Sequence, residues 1–119
     1  MELSLRRSAH ERALDIGFRD TYDVRMENLQ FVWGARKSQG NLAKHGVSFT
    51  EAQTAFQDEN AKVYFDPDHS EAGDWFILLG LSFQLRVLVV CHCYRESETL
   101  VRIISARKAD RREQEDYRS

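Results

Sequence analysis

The chain has 119 residues, 42% hydrophobic and 30% charged, with a net charge of −2. That is the size and make-up of one globular domain with a core of its own. Two cysteines exclude a disulfide scaffold, and the acidic balance excludes a polyanion binder that works by bulk charge.

No apolar run approaches the ~20 residues of a membrane helix. The N-terminus has no signal-peptide core. We therefore expect a cytoplasmic chain with no membrane contact. The charge is uneven. Residues 58–74 are acidic, whereas 102–112 gathers Arg102, Arg107, Lys108, Arg111 and Arg112 against Asp110 alone. An anion site, if present, is local.

Residues 1–25 carry five arginines and five acids with only a weak helical pattern, and read as an N-terminal extension outside the core. Residues 26–119 read as a single domain. Leu29, Phe31 and Trp33 alternate with other residues, as in a strand over 29–33. Arg36 to His45 reads as a helix, with Gly46 just past its end and Lys44-His45 in the last turn, where positive charge suits the helix dipole. Lys37, Asn41 and His45 share one face of it. Ser48-Phe49-Thr50-Glu51 is a capping-box pattern that opens a second helix to about Gln57, with Val47 and Ala52 placed as a hydrophobic staple. A short strand follows over 61–65, then turn chemistry at Asp66-Pro67-Asp68-His69 and a polar loop over 70–74. Trp75 to Ser82 is apolar on both faces, as an interior strand would be.

Leu85–Arg95 and Thr99–Ala106 read as a strand pair joined by a polar turn at Glu96-Ser97-Glu98. Alternation gives the pair two faces. Leu85, Val87, Val89, Cys91 and Cys93, continued by Val101, Ile103 and Ser105, form the apolar face expected to be core. Arg86, Leu88, Val90, His92 and Tyr94, with Leu100, Arg102, Ile104 and Ala106, form the mixed face. Lys108 to Arg118 has helix-forming composition but little apolar face. The order β-α-α-β-β-β-β with a possible C-terminal helix implies an α+β fold, an antiparallel meander with helices on one face.

The sequence contains no P-loop, dinucleotide fingerprint or nucleophile elbow. Cys91-His92-Cys93 is a poor metal site, because alternation sends the imidazole away from both thiols. No metal and no cofactor is expected. A three-residue turn would set His92 opposite Arg102, so that Arg86, His92, Tyr94 and Arg102 share a surface. Metal-free RNA cleavage needs a base near the 2′-OH, a cation for the phosphate and an acid for the leaving oxygen. Arginine suits the phosphate, and histidine or tyrosine the protons. Taken singly, the same residues also fit a solvated strand face and a satisfied sheet histidine.

Phe31-Val32-Trp33, Lys37, Asn41, Lys44-His45-Gly46-Val47-Ser48-Phe49 and Glu51-Ala52 resemble the opening pattern of the BrnT toxin family. Asp66-Pro67-Asp68-His69-Ser70, Gly80-Leu81-Ser82, Arg86 to Val90 and Val101 to Arg107 resemble the remainder, in order, over about 29–117. Gly34 and Leu85 depart from the pattern, which more often has Asp and Gly there. The resemblance implies a RelE-like fold, two N-terminal helices packed on a curved antiparallel sheet. It implies the toxin of a type II toxin–antitoxin pair, a metal-independent endoribonuclease that inhibits translation. Its implied partners are an RNA substrate and a BrnA-type antitoxin, in a hetero-oligomer that meets DNA only through the antitoxin. Arg86, Arg102 and Arg107 would hold phosphate, Lys44 would steady the backbone, and His45, His92 or Tyr94 would move protons. The competing expectation is a non-catalytic interaction or nucleic-acid-binding module, a degenerate toxin.

Overall fold

A computed structural model describes residues 29–66, 74–95 and 97–119. The 1–25 extension, the turn from Pro67, the loop to Gly73 and turn residue Glu96 lie outside the described residues. The elements are β1 (Gln30–Val32), α1 (Ala35–His45), α2 (Phe49–Thr54) with a 3-10 turn (Ala55–Gln57), β2 (Lys62–Asp66), β3 (Trp75–Leu81), β4 (Val87–Arg95), β5 (Ser97–Lys108) and α3 (Arg111–Arg118). The five strands form one sheet in the order β1-β5-β4-β3-β2. β2 to β5 make the expected antiparallel meander. β1 departs from it and runs parallel to β5. The helices carry the chain from β1 to the far edge, and the meander fills the sheet back toward β1.

One face of the sheet meets α1, α2 and the 3-10 turn; α3, contrary to the expectation of helices on one face, packs through Tyr117 on the other. Val47, Phe49, Ala52, Ala55 and Phe56 pack on Leu78, Leu88, Val90, Val101, Ile103 and Ala106. Phe31 and Trp33 seal the β1 side, edge-on to Phe56 and Phe49 at 5.0 and 5.8 Å. Gly80 lies where β3 passes beneath the 3-10 turn. A Cβ there would stand 2.8 Å from the Ala55 carbonyl oxygen, so only glycine fits.

The helix ends follow the sequence. Gly46 closes α1 in the left-handed conformation, φ 71°, with its N–H on the Leu42 carbonyl. Gly34 opens α1 without a side-chain cap. Ser48 Oγ accepts from Glu51 N at 3.0 Å, as expected. The Glu51 carboxylate is used elsewhere, so only half of the expected capping box forms. The complete box is at α3, between Asp110 and Glu113.

Asn41 does for β5 what a neighbouring strand would. β1 pairs only with Leu100 to Arg102. Beyond it, the Asn41 amide donates to Ala106 O at 2.8 Å and accepts from Ala106 N at 3.0 Å, while also donating to Val47 O. A buried backbone edge is thereby satisfied by one side chain.

The faces of β4 are the reverse of those expected, whereas Val101 and Ile103 of β5 are core as expected. Cys93 pairs with Arg102, Tyr94 with Val101, and Arg95 with Ser97. This is a shift of one residue from the expected pairing, and a shift of one exchanges faces. Leu88, Val90 and His92 face α1, α2 and the 3-10 turn and are buried. Val87, Val89, Cys91 and Cys93 face away. Both faces of β4 are apolar enough to be core, so hydrophobicity alone did not choose between them.

Candidate functional site

A bulge decides where the basic residues of β5 point. Arg102 and Arg107 are an odd number of residues apart, and on a regular strand would face opposite ways. Between the pairs Cys91–Ser105 and His92–Ile103, β5 carries one extra residue, Ile104. The alternation is reset there, and Arg102, Ser105 and Arg107 all lie on the outer face.

The register lays that face out in rows. The first holds Asp66, Trp75, Cys93, Arg102 and Val32; the second Tyr64, Ile77, Cys91 and Ser105; the third Lys62, Leu79, Val89 and Arg107. Arg102, Trp75, Cys91, Cys93 and Ser105 are half-buried. Ala109 and Tyr117 pack with Leu79 and Val89 over the third row. Tyr117 Oη donates to Asp58 Oδ2 at 2.6 Å, and burial, followed by that bond and charge, pushes the phenol up to about 12. Lys62 Nζ donates to the carbonyls of Asp116 and Ser119, capping α3 from below.

Arg107 points its fork at α3. Its Nη1 and Nη2 donate to the two Glu113 carboxylate oxygens, each at 2.8 Å. Both partners keep water contact, with side-chain exposures of 43% and 28%. The Cys91 thiol is pushed up to about 11, first by burial, then by the charges of Asp66 and Cys93, with Lys37 opposing. It is a neutral thiol at pH 7 and a poor nucleophile.

Arg86 belongs to a different construction. Its Nε and Nη2 donate to the two oxygens of Glu51, the first at 3.0 Å. Glu51 is 2% exposed and also accepts from Ser82 Oγ at 2.6 Å. Burial pushes this carboxyl up, but the bonds from Arg86 and Ser82 and the arginine charge outweigh it, and the net shift is downward. Arg86 Nη2 also donates to the Gly46 carbonyl at 3.2 Å. The guanidinium therefore ties the β3–β4 turn to the α1–α2 junction at Gly46. His45 is half-buried and Lys44 exposed.

His92 is withdrawn altogether. It is fully buried, ringed by Phe56, Phe76 and Tyr94 with centroids 4.8 to 6.1 Å away. Nδ1 pairs with the Val90 carbonyl at 3.1 Å, as donor in the neutral ring, and Nε2 has no partner among the described residues. Burial lowers its pKa to about 4. Tyr94 lies on the same inner face, half-buried against the core. The expected surface Arg86-His92-Tyr94-Arg102 does not exist, because the register places its members on both sides of the sheet and at its end.

The profile of the family described as "Ribonuclease toxin, BrnT, of type II toxin-antitoxin system" matches residues 33–113. The chain belongs to the BrnT family. It is similar to the ribonuclease toxin BrnT of Brucella abortus, whose crystal structure was solved at 1.1 Å. The TM-score is 0.53 and the identity 25%, over 70% of this chain and 99% of that one. No curated protein matches the chain.

Much of the BrnT sequence pattern is therefore scaffold. Asn41 holds the β5 edge, Glu51 holds Arg86, and Gly46 turns the chain between helices. Outside that scaffold, Arg102 and Arg107 bring two cations to one face of the sheet. Two guanidinium forks on one face can neutralise the oxygens of a phosphodiester. That Ser105 shares the face of the two arginines had no sequence signal, because nothing in the sequence announces the bulge at Ile104.

Proposed function

We propose that this BrnT is a metal-independent endoribonuclease that cuts RNA on the outer face of the sheet and so inhibits translation. The bulge that gathers Arg102 and Arg107 on that face carries the reading, in a family of ribonuclease toxins. Arg102 and Arg107 bind the phosphate and neutralise charge as it builds on the phosphorane oxygens. The 2′-oxygen attacks phosphorus and the 5′-oxygen leaves, and a proton moves from the first to the second. With His92 sealed in the core, that proton is carried by groups from outside β4. Of the residues expected from the sequence, His45 is the remaining imidazole, and Lys44 steadies the RNA backbone beside it.

The fold supports a RelE-like description. The neutralising partner is a BrnA-type antitoxin, which brings the pair to DNA, and the setting is the cytoplasm. No helix among the described residues is long and apolar enough to cross a membrane.

Purified protein is expected to cut RNA in EDTA and to arrest growth on induction. Arg102→Ala and Arg107→Ala each lower the cutting rate about 100-fold, the effect of removing one charge-stabilising group, with little change in melting temperature. Full activity in the double variant overturns the assignment. The burial of His92 favours one competing reading, a face that holds RNA without cutting it. That reading requires RNA retention by the wild type with no product, in EDTA or with added metal.

A further inference from the structure

The tip of the β3–β4 hairpin is strained and apolar at once. Ser82 O accepts from Leu85 N at 2.9 Å, and Ser82 N donates to Arg86 O at 2.8 Å. In this three-residue hairpin the last residue takes the left-handed conformation, where glycine is favoured. Here that residue is Leu85, with φ 63°. Its side chain is 78% exposed and that of Phe83 63%. A leucine in this conformation costs backbone energy, and in water it gains nothing from burial. The fold has no use for it.

Beside the tip lies a groove of about 520 Å³ between the hairpin, the end of β5 and α3. It is lined by the aliphatic Leu81, Leu85, Val87 and Ala109 and by Tyr117, with Lys108 and Arg118 on its walls beside Arg86, which Glu51 holds. Neither Lys108 nor Arg118 has a carboxylate partner among the described residues, and no acid lines the groove. We propose that this groove docks an acidic amphipathic segment of the antitoxin, with apolar side chains on Leu81, Leu85 and Val87 and carboxylates on Lys108 and Arg118. Charge complementarity selects the partner's sign, and the exposed Phe83 and Leu85 supply the apolar anchors. Tyr117, which also lines the groove, has its hydroxyl committed to Asp58. The exposed aliphatic Leu85 at the mouth suits an apolar side chain of a protein segment better than a polyanion alone. The proposal rests on the toxin reading above and adds to it the surface that the antitoxin covers.

Leu85→Gly gives the test, because fold and binding should move in opposite directions. Glycine suits φ 63°, so the variant melts several degrees higher. Its affinity for the purified antitoxin, measured by calorimetry, falls at least tenfold. Lys108→Glu with Arg118→Glu lowers affinity at least 100-fold and removes most of its salt dependence, while RNA cutting by the free toxin is unchanged. Antitoxin affinity within twofold of wild type in both variants overturns the proposal. So does loss of RNA binding with antitoxin binding intact, which would make the groove an RNA subsite. A wild-type chain that cuts RNA but keeps full antitoxin affinity in these variants refutes only the surface. A wild-type chain that binds no antitoxin refutes the toxin reading and the surface together.

Discussion

Arg86 and Arg107 were expected to do the same job, and each meets a glutamate through both carboxylate oxygens. They differ in what water can reach. Glu51 is sealed in the core side of the fold and holds Ser82 as well as Arg86. Glu113 lies on an eight-residue helix at the surface and shares its partner with solvent. A buried carboxylate that loses its cation is left stranded, whereas an exposed one is rehydrated. The same chemical pair is a clamp in one place and a loosely held fork in the other. Arg107 is thus the more exchangeable of the two cations.

The largest consequence is for Arg86→Ala. Removing the guanidinium leaves Glu51 buried beside Ser82, and we expect about 3 kcal/mol lost from the urea-unfolding free energy. A loss below ~1 kcal/mol would put both ion pairs in the surface class. Acid separates the regions further. His92 has its folded pKa lowered from 6.5 to about 4, so its neutral burial contributes fully above pH 6.5. As the pH falls from 6.5 toward 4, only the unfolded chain takes the proton, and stability drops by roughly 3 kcal/mol. His92→Phe flattens that stretch of the stability–pH curve, whatever it does to stability at pH 7. Glu51 and Glu113, both held below the usual carboxylate value, add their loss only below pH 4.5, as they protonate. The smallest effect is expected for Glu113→Gln. It changes stability by less than about 1 kcal/mol and tightens RNA binding a few-fold in a filter assay, because Arg107 is released. Weaker RNA binding in this variant would show that Glu113 positions Arg107 rather than competing with the phosphate.

Element order, the Gly46 helix end, the Ser48 cap and the interior place of β3 were legible in the sequence, since each depends on local chemistry. The faces of β4 were not. Val87 and Val89 on one side and Leu88 and Val90 on the other give no hydrophobic contrast, so register decides, and register was set by a turn and a bulge. Once Cys93 rather than His92 stands opposite Arg102, the imidazole goes to the core and the thiols to the outer face. Arg102 and Arg107 could be named as candidate cations from residue type, but their convergence on one face depends on Ile104 being an extra residue. The role of Asn41 needed the brevity of β1, which no motif states.

The parallel contact of β1 with β5 has a consequence for how the molecule is made. Phe31, near the start of the described chain, lies beside Val101 near its end. Contacts so distant in sequence form late, because a long loop must close before they return anything. A nascent chain whose last strand is still inside the ribosome has neither its closing edge nor either arginine of the outer face. Closure of the sheet and convergence of the two arginines are then one event.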